Sequence, residues 1–153
     1  MQIGILSDTH GLLRPEVPPL LAGSDHILHL GDVGDPEILG ALARIAPVTA
    51  IRGNIDNHGP CARLPETEVA TLAGLDFYML HDVQQLDLDP AAAGFAAVLC
   101  GHSHKPSIEW KKNVLYLNPG SCGPRRFSLP ITCAKIEIKE NGRLEPVLLT
   151  LPL

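Results

Sequence analysis

The chain has 153 residues, of which 45% are hydrophobic, and its formal net charge is −5 with neutral histidines. This length and apolar content predict one folded domain over residues 1–153, with a sizeable core. The acidic balance gives no electrostatic footprint for nucleic acid and no attraction to an anionic membrane. No apolar run approaches the ~20 residues that span a bilayer, and no basic and apolar leader opens the sequence, so we expect a cytoplasmic protein.

Strands and helices alternate in the first half of the chain. Strands are predicted near residues 2–7, 26–30 and 47–51. Asp35-Pro36-Glu37 is typical of a helix start, because an N-cap acid precedes a proline and an acidic residue in the first turn. Apolar residues follow at helical spacing until Pro47 ends the helix. The stretch from Leu12 to Leu21 holds three prolines and allows only a short helix.

Antiparallel strand pairs dominate the second half. The predicted pairs are 69–72 with 75–80, 108–111 with 114–117, and 131–138 with 144–151. Asn141-Gly142 predicts a two-residue hairpin turn in the last pair, whose outer edge could join two copies into a homo-oligomer. In the predicted strand 131–138, residues 132, 134, 136 and 138 form the more apolar side and should face the core. Asp89-Pro90 predicts a short alanine-rich helix. These elements predict an α/β fold of two packed mixed β-sheets flanked by helices.

The four cysteines show none of the close pairs that zinc sites usually carry. They are Cys61, Cys100, Cys122 and Cys133. We therefore expect reduced thiols, with Cys100 in the core because it lies in an apolar run. A structural zinc site built from the four is the alternative.

Metal-binding side chains follow five of the apolar runs. They are Asp8, His10, Asp32, Asn54, His81, His102 and His104. Ligands sit at the carboxyl ends of strands in open α/β sheets, and we expect these side chains to converge only if the strands share one sheet. Imidazole suits Zn, Fe, Ni and Mn, whereas carboxylate and amide oxygens suit harder ions such as Mn. Seven side chains exceed one four-coordinate site and fit two ions if one carboxylate bridges them.

Five short motifs carry a family resemblance. In order, Asp8-Thr9-His10, Gly31-Asp32, Gly53-Asn54-Ile55-Asp56, His81 and Gly101-His102-Ser103-His104 resemble the motifs of the calcineurin-like metallophosphoesterases. Asn118-Pro119-Gly120-Ser121 with Pro124-Arg125 resembles the small bacterial and archaeal phosphodiesterase branch of that family. The resemblance covers residues 1 to about 126. It implies the αββα sandwich of the metallophosphoesterases.

The resemblance also implies a two-metal phosphodiesterase, in which a hydroxide bridging both ions attacks a small phosphodiester. Its pattern assigns Asp8, His10 and His104 to the first ion, Asn54, His81 and His102 to the second, and Asp32 to both. Asn54 would also contact the substrate phosphate, and Arg125 would bind substrate. Manganese is the expected metal, with nickel, iron and zinc as alternatives. The spacing of Asp8 and His10 would place both on one side of an extended segment.

Two positions depart from the family pattern. Ile55 stands where relatives often carry cysteine or histidine, and an isoleucine cannot protonate a leaving group. His81-Asp82-Val83 stands where relatives often carry His-Gly-His, which removes one polar substrate contact. Without an evident general acid, we expect a preference for good leaving groups.

Simpler interpretations remain for single residues. Asp8 and Asp32 could cap helices, Asp56 could be a partner of a ligating histidine or a turn residue, and Asp82 should be solvated. Arg125 could belong to a solvated pair with Arg126. Structural roles are expected for His26, His29 and His58, and an interior ion pair or a surface position for Arg52. For the whole protein, the alternatives are a phosphomonoesterase with the same metal centre and a non-catalytic scaffold, as in the eukaryotic sorting-complex relatives of this family.

Overall fold

The computed structural model describes residues 1–153 and contains ten strands and two α-helices. The strands are β1 Gln2–Leu6, β2 His26–His29, β3 Val48–Ala50, β4 Thr67–Leu72, β5 Leu75–Leu80, β6 Ala97–Leu99, β7 Ser107–Lys111, β8 Val114–Asn118, β9 Thr132–Ile138 and β10 Leu144–Thr150. The helices are α1 Val17–Leu21 and α2 Pro36–Ala43, and two 3-10 turns span Pro60–Arg63 and Val83–Gln85. Neither helix is long or apolar enough to cross a membrane.

The strands form two mixed five-stranded sheets. The first has the order β10-β9-β1-β2-β3 and the second the order β4-β5-β6-β8-β7. In the first sheet β1, β2 and β3 are parallel, and in the second β5 is parallel to β6 and β6 to β8. Pro146 lies in β10 at the edge of its sheet, where its missing N–H breaks no ladder bond towards a neighbouring strand. The expected fold of two packed mixed sheets is confirmed.

The largest core cluster lies between the two sheets. It joins Ile5 and Leu28 of the first sheet to Phe77, Leu99 and Leu117 of the second, all fully buried. Thr132, Ala134, Ile136 and Ile138 are buried as the alternation of that strand predicted. A second cluster packs both α-helices on the outer face of the first sheet, and a small third one covers the outer face of the second. All four cysteines are free and buried, including Cys100 in the third cluster.

Asp35 caps α2 as predicted, since its carboxylate accepts the backbone N–H of Glu37 at 2.9 Å. The helix predicted from Asp89-Pro90 is wrong: residues 90–94 make a single turn. The carboxylate of Asp89 accepts the N–H of Ala91 at 3.1 Å, but Gly94 at φ 82° ends the turn before a helix can develop. The helical layer on the second sheet is therefore reduced to short turns.

The last hairpin forms where it was predicted, but with another turn. Only Gly142 of the Asn141-Gly142 pair has positive φ, whereas the expected two-residue turn needs it at both positions. The N–H of Gly142 bonds the carbonyl of Lys139 at 2.9 Å, and the N–H of Lys139 bonds the carbonyl of Arg143 at 2.9 Å. The loop is thus a longer one with its glycine at the left-handed position, and it pairs Ile138 with Leu144.

The predicted ligands do not follow the strands of one sheet. Asp8, Asp32 and Asn54 follow β1, β2 and β3 of the first sheet, whereas His81 and His102 follow β5 and β6 of the second. The expectation that convergence requires a shared sheet is therefore wrong. The two sheets pack face to face, so the carboxyl ends of both sets of parallel strands open onto the same edge of the sandwich.

Candidate metal centre

Five of the predicted ligands have a backbone conformation that L-residues rarely adopt. Their φ angles are 59° at Asp8, 47° at His10, 55° at Asp32, 70° at His102 and 64° at His104. Asp8 and His10 thus meet through two left-handed residues and not along an extended segment, which corrects the geometric interpretation of their spacing. Such strained residues concentrate where the surrounding structure holds a functional group in place.

Asp8 is fully buried, and its two oxygens have different surroundings. Oδ2 accepts the hydroxyl of Ser7 at 2.6 Å and the backbone N–H of His102 at 3.1 Å. Oδ1 has no hydrogen-bond partner and lies 3.5 Å from Nε2 of His10 and 3.4 Å from Nε2 of His104. One oxygen therefore fixes the carboxylate, and the other faces the two imidazoles.

Asp32 repeats this division of roles. Its Oδ1 accepts the backbone N–H of Ile55 at 3.0 Å, which ties the loop after β2 to the loop after β3. Its Oδ2 lies 3.3 Å from Nε2 of His10 and 3.2 Å from Nε2 of His81. These two histidines come from the two ligand sets that the family resemblance implies, and Oδ2 of Asp32 lies within 3.3 Å of both.

The tautomer of His81 is set by the backbone. Its Nδ1 lies 2.7 Å from the carbonyl of Leu30, so Nδ1–H donates and Nε2 keeps a free lone pair. A ligating histidine usually donates its second ring nitrogen in this way, because that bond fixes the ring and raises its basicity. The side chain of His81 is only 8% exposed, and its Nε2 has no hydrogen-bond partner.

His102 and Asn54 lie at the more exposed side of the cluster. Nδ1 of His102 lies 3.2 Å from Oδ1 of Asn54, and its ring is 5.2 Å from that of His81. On the other side, Nε2 of His102 lies 3.8 Å from a carboxylate oxygen of Asp82. Asp82 is not the solvated residue that was expected, since its side chain is 25% exposed and accepts the N–H of Gln84 at 3.0 Å.

The unpaired atoms of the cluster test whether a cation fits. Oδ1 of Asp8 and Nε2 of both His10 and His81 are buried and make no hydrogen bond, although oppositely polarised atoms lie 3.2–3.7 Å away. Buried polar groups are normally paired, so an orphaned set needs an explanation such as a missing ion. Two groups of three could each hold an ion: Asp8 with His10 and His104, and Asp8 with Asp32 and His81. Divalent cations fit this donor set.

Without metal, the carboxylates and imidazoles shift each other's pKa values. The neighbouring Asp32 and then Asp8 raise the pKa of His10 to about 9. Burial alone would lower the pKa of His81, but Asp32 and the charge of Asp8 raise it overall. Burial alone would raise the pKa of both carboxyls, but their histidine neighbours hold them well below the usual value. The metal-free cluster therefore holds a proton on His10 at neutral pH.

Metal affinity should rise with pH between about 7 and 9. A metal ion replaces the proton on His10, and each displaced proton changes the apparent dissociation constant by about tenfold per pH unit below the pKa of the group. Calorimetric titration of the metal-free protein with Mn²⁺, in buffers of different ionisation enthalpy, measures the affinity and the proton release together. A dissociation constant that does not change from pH 7 to pH 8.5, with no proton released, would contradict this arrangement.

Other residues hold the loops of the centre without facing it. Asp56 accepts the backbone N–H groups of Val33, Gly34 and Gly53 at 3.1, 3.1 and 2.9 Å. It therefore partners no histidine and is more than a local turn residue, because it joins the loops after β2 and β3. Sequence reasoning left its role open, since these partners lie up to 23 residues away.

The segment with the motif Asn118-Pro119-Gly120-Ser121 also supports the centre. The amide of Asn118 donates to the carbonyl of Gly101 at 3.0 Å, and the hydroxyl of Ser121 donates to the carbonyl of Asp8 at 3.0 Å. The segment thus connects the loop after β6 to the loop after β1.

Sequence reasoning gave Ser7 no role, although Ser7 directly precedes Asp8 and its hydroxyl donates to the Asp8 carboxylate.

Buried His29 belongs to the same supporting structure. Its Nδ1 accepts the N–H of Gly31 at 3.2 Å, so its Nε2–H donates to the hydroxyl of Thr9 at 3.1 Å, and Thr9 donates to the carbonyl of Val33 at 2.8 Å. Burial lowers the pKa of His29 to about 4. Its expected structural role is confirmed, because it holds Thr9 between the predicted ligands Asp8 and His10.

The remaining candidates lie apart from the cluster. Arg125 is exposed and donates to the carbonyl of Leu129 in its own loop at 3.2 Å, so the structure shows no contact between it and the centre. Arg52 pairs with Glu66, whose side chain is 74% exposed, so this ion pair lies at the surface and not in the interior. His26 bonds Thr49, and His58 bonds Asn57.

Two packed mixed sheets with carboxylates and imidazoles at one edge define the class of the metallophosphoesterases. The chain belongs to the calcineurin-like phosphoesterase superfamily, whose domain matches residues 1–141. A probable metallophosphoesterase from Methanothermobacter thermautotrophicus is 37% identical over 142 residues, which cover 85% of this chain and 82% of the relative.

Solved structures share the fold. An archaeal protein described as a novel phosphodiesterase superposes with a TM-score of 0.78 at 22% identity, covering 97% of this chain and 100% of that one. Vps29 from Entamoeba histolytica, complexed with Zn²⁺, superposes with a TM-score of 0.74 at 20% identity, covering 98% of this chain and 99% of that one. At these identities the likeness concerns the fold alone.

Proposed function

We propose that this protein is a phosphodiesterase that uses two divalent metal ions, manganese first among them, to hydrolyse a small phosphodiester. The observation that carries the proposal is the set of buried, unpaired ligand atoms of Asp8, His10 and His81, which surrounds the free oxygen of Asp32. When bound, a metal pair supplies a hydroxide nucleophile and neutralises charge on the phosphoryl oxygens. Membership of the metallophosphoesterase superfamily supports the same chemistry.

The residues would divide the work as follows. Asp8, His10 and His104 would hold one ion, and His81, His102 and Asn54 the other, with Asp32 between them. Asn54 is exposed, and only its carbonyl oxygen lies near His102, so its amide N–H groups are free to donate to a phosphate oxygen. The ligand loops are held by buried hydrogen bonds, so little reorganisation is needed when charge develops on the phosphoryl group.

Ile55 supplies no proton donor to the centre. The backbone N–H of Ile55 is used by Asp32, and its hydrocarbon side chain cannot protonate the leaving oxygen. A phenolate can leave without protonation when the corresponding phenol has a low pKa. An alkoxide cannot, because the corresponding alcohol has a high pKa. The proposal therefore includes a preference for aryl over alkyl diesters.

Two alternatives share the fold. A phosphomonoesterase would need further cations for the dianionic ester, and Arg125 makes no contact with the centre. The scaffold alternative is motivated by the structural neighbour Vps29, which is described as a vacuolar protein sorting protein and was solved with Zn²⁺ in its Entamoeba histolytica form. Bound metal alone therefore does not separate an enzyme from a scaffold, and hydrolysis must be measured.

The deciding experiment is hydrolysis of bis(p-nitrophenyl) phosphate. We expect turnover with added Mn²⁺, no turnover after chelation, and a higher kcat/KM than for p-nitrophenyl phosphate or for a dialkyl diester. Faster hydrolysis of the alkyl diester would reveal a general acid. A protein that binds Mn²⁺, Ni²⁺, Fe²⁺ or Zn²⁺ but hydrolyses none of these esters would favour the scaffold instead.

A further inference from the structure

A cavity of about 570 Å³ adjoins the metal centre on the side of the second sheet. Three proposed metal ligands, Asn54, His81 and His102, form one end of it. Its volume falls within the range of small-molecule sites. The buried and unpartnered Nε2 of His81 lies 3.2 Å from Oδ2 of Asp32, and His81 also lines this cavity, which makes the cavity continuous with the centre.

The lining of the cavity is acidic. Glu66, Asp82 and Asp87 contribute to it, with Asp82 lying 3.8 Å from Nε2 of the proposed ligand His102, and Arg52 is the one arginine or lysine of the lining. Arg52 is already paired with Glu66, and it also donates to the carbonyl of Ala62 at 3.4 Å. The carboxylates of the lining that no arginine or lysine offsets are therefore those of Asp82 and Asp87.

The other acidic residue of the lining does not change this balance. Asp56 is 3% exposed and accepts three backbone N–H groups. The half-buried Tyr78 also lines the cavity, and aromatic rings attract cations. With ions bound, the cavity would be positive where the phosphate binds, and the rest of its lining would carry the negative charges of Asp82 and Asp87.

We infer that this cavity receives one ester group of the substrate and selects groups without negative charge, cationic amino alcohols above all. The inference rests on the proposed function, because that function places the phosphate at the ligand end. A second phosphate or a carboxylate on the ester group would meet Asp82 and Asp87 with no free cation to offset them. A cationic group would be attracted by both carboxylates.

The test uses three methyl phosphodiesters whose second ester group is choline, 2-hydroxyethyl or 2-sulfoethyl. The sulfonate supplies a negative charge but is a poor metal ligand, so it reports on the cavity and not on the ions. Calorimetry with the manganese-loaded protein should give the tightest dissociation constant for the choline ester and the weakest for the sulfoethyl ester, about tenfold apart. Because the carboxylates are partly exposed, high salt should reduce this ratio.

Asp87→Lys should bring the ratio of the two dissociation constants close to one or reverse it. Glu140→Lys makes the same charge change in the exposed turn of the last hairpin and should leave the ratio unchanged. Equal binding of the choline and sulfoethyl esters by the unmodified protein, or equal effects of the two substitutions, would overturn the inference. If the protein hydrolyses bis(p-nitrophenyl) phosphate but binds the choline and sulfoethyl esters equally, the inference is overturned and the proposed function stands. A charge preference without any hydrolysis would support the cavity's selectivity and overturn the proposed function.

Discussion

Asp32→Asn should lower kcat for bis(p-nitrophenyl) phosphate by about 10³-fold or more. The free oxygen of Asp32 lies 3.3 Å from Nε2 of His10 and 3.2 Å from Nε2 of His81, so both proposed ion positions depend on it. An amide is a weak ligand and brings no negative charge, and metal ions contribute several kcal/mol to stabilising the transition state. Metal content per chain should fall in parallel, which can be measured by elemental analysis after dialysis.

Asp35→Asn is the matched control. It makes the same chemical change three residues away, at the cap of α2, where asparagine caps as well as aspartate does. We expect unchanged turnover and metal content in this variant. Circular dichroism of both variants would separate lost chemistry from lost folding. A folded Asp32→Asn protein that retains turnover within tenfold of the unmodified protein would remove Asp32 from the centre.

Gly101→Ala should destabilise the protein by about 2–3 kcal/mol and weaken metal binding. A Cβ atom at this position would overlap the hydroxyl oxygen of Ser7 and come within 2.7 Å of Oδ2 of Asp8. The hydrogen bond from Ser7 that fixes Asp8 would have to break or shift. In a chain of this length, the expected loss lowers Tm by roughly 5–10 °C. Thermal unfolding of the metal-free and metal-loaded protein measures both effects.

Gly40→Ala should stabilise the protein, in contrast to Gly101→Ala. Gly40 lies in α2, and a Cβ atom there would meet nothing within 4 Å. Alanine in a helix interior is more stable than glycine by roughly 0.5–1 kcal/mol, so this variant should unfold at a higher temperature. If both substitutions had the same small effect on Tm, the close packing of the loop after β6 against Asp8 would be contradicted.

Much of the fold could be predicted because its signals are local. Alternation of apolar residues predicted the buried face of β9, and the cap and proline at Asp35-Pro36 predicted the start of α2. The Asp89-Pro90 prediction failed although the cap formed, because Gly94 follows after one turn. The turn type predicted at Asn141-Gly142 is wrong, because only the glycine has the left-handed conformation.

The supporting bonds of the centre could not be predicted from the sequence. Ser121 bonds the carbonyl of Asp8 across 113 residues, and Asp56 bonds the loop after β2 across 23. The left-handed backbone at Asp8 and His10 is equally hidden, since neither residue type requires it. Such features depend on which distant segments pack together, and residue spacing carries no information on that.

The sequence by itself determined the chemistry: oxygen and imidazole donors stand at the ends of apolar strands, and the motif order identifies the superfamily. The tertiary structure decided how these donors meet. Four of them follow strands of the first sheet and three follow strands of the second, because hydrophobic burial packs the two sheets face to face and aligns the ends of their parallel strands. Only this packing creates the acidic cavity beside the ligands, since its walls come from loops and strands of both sheets.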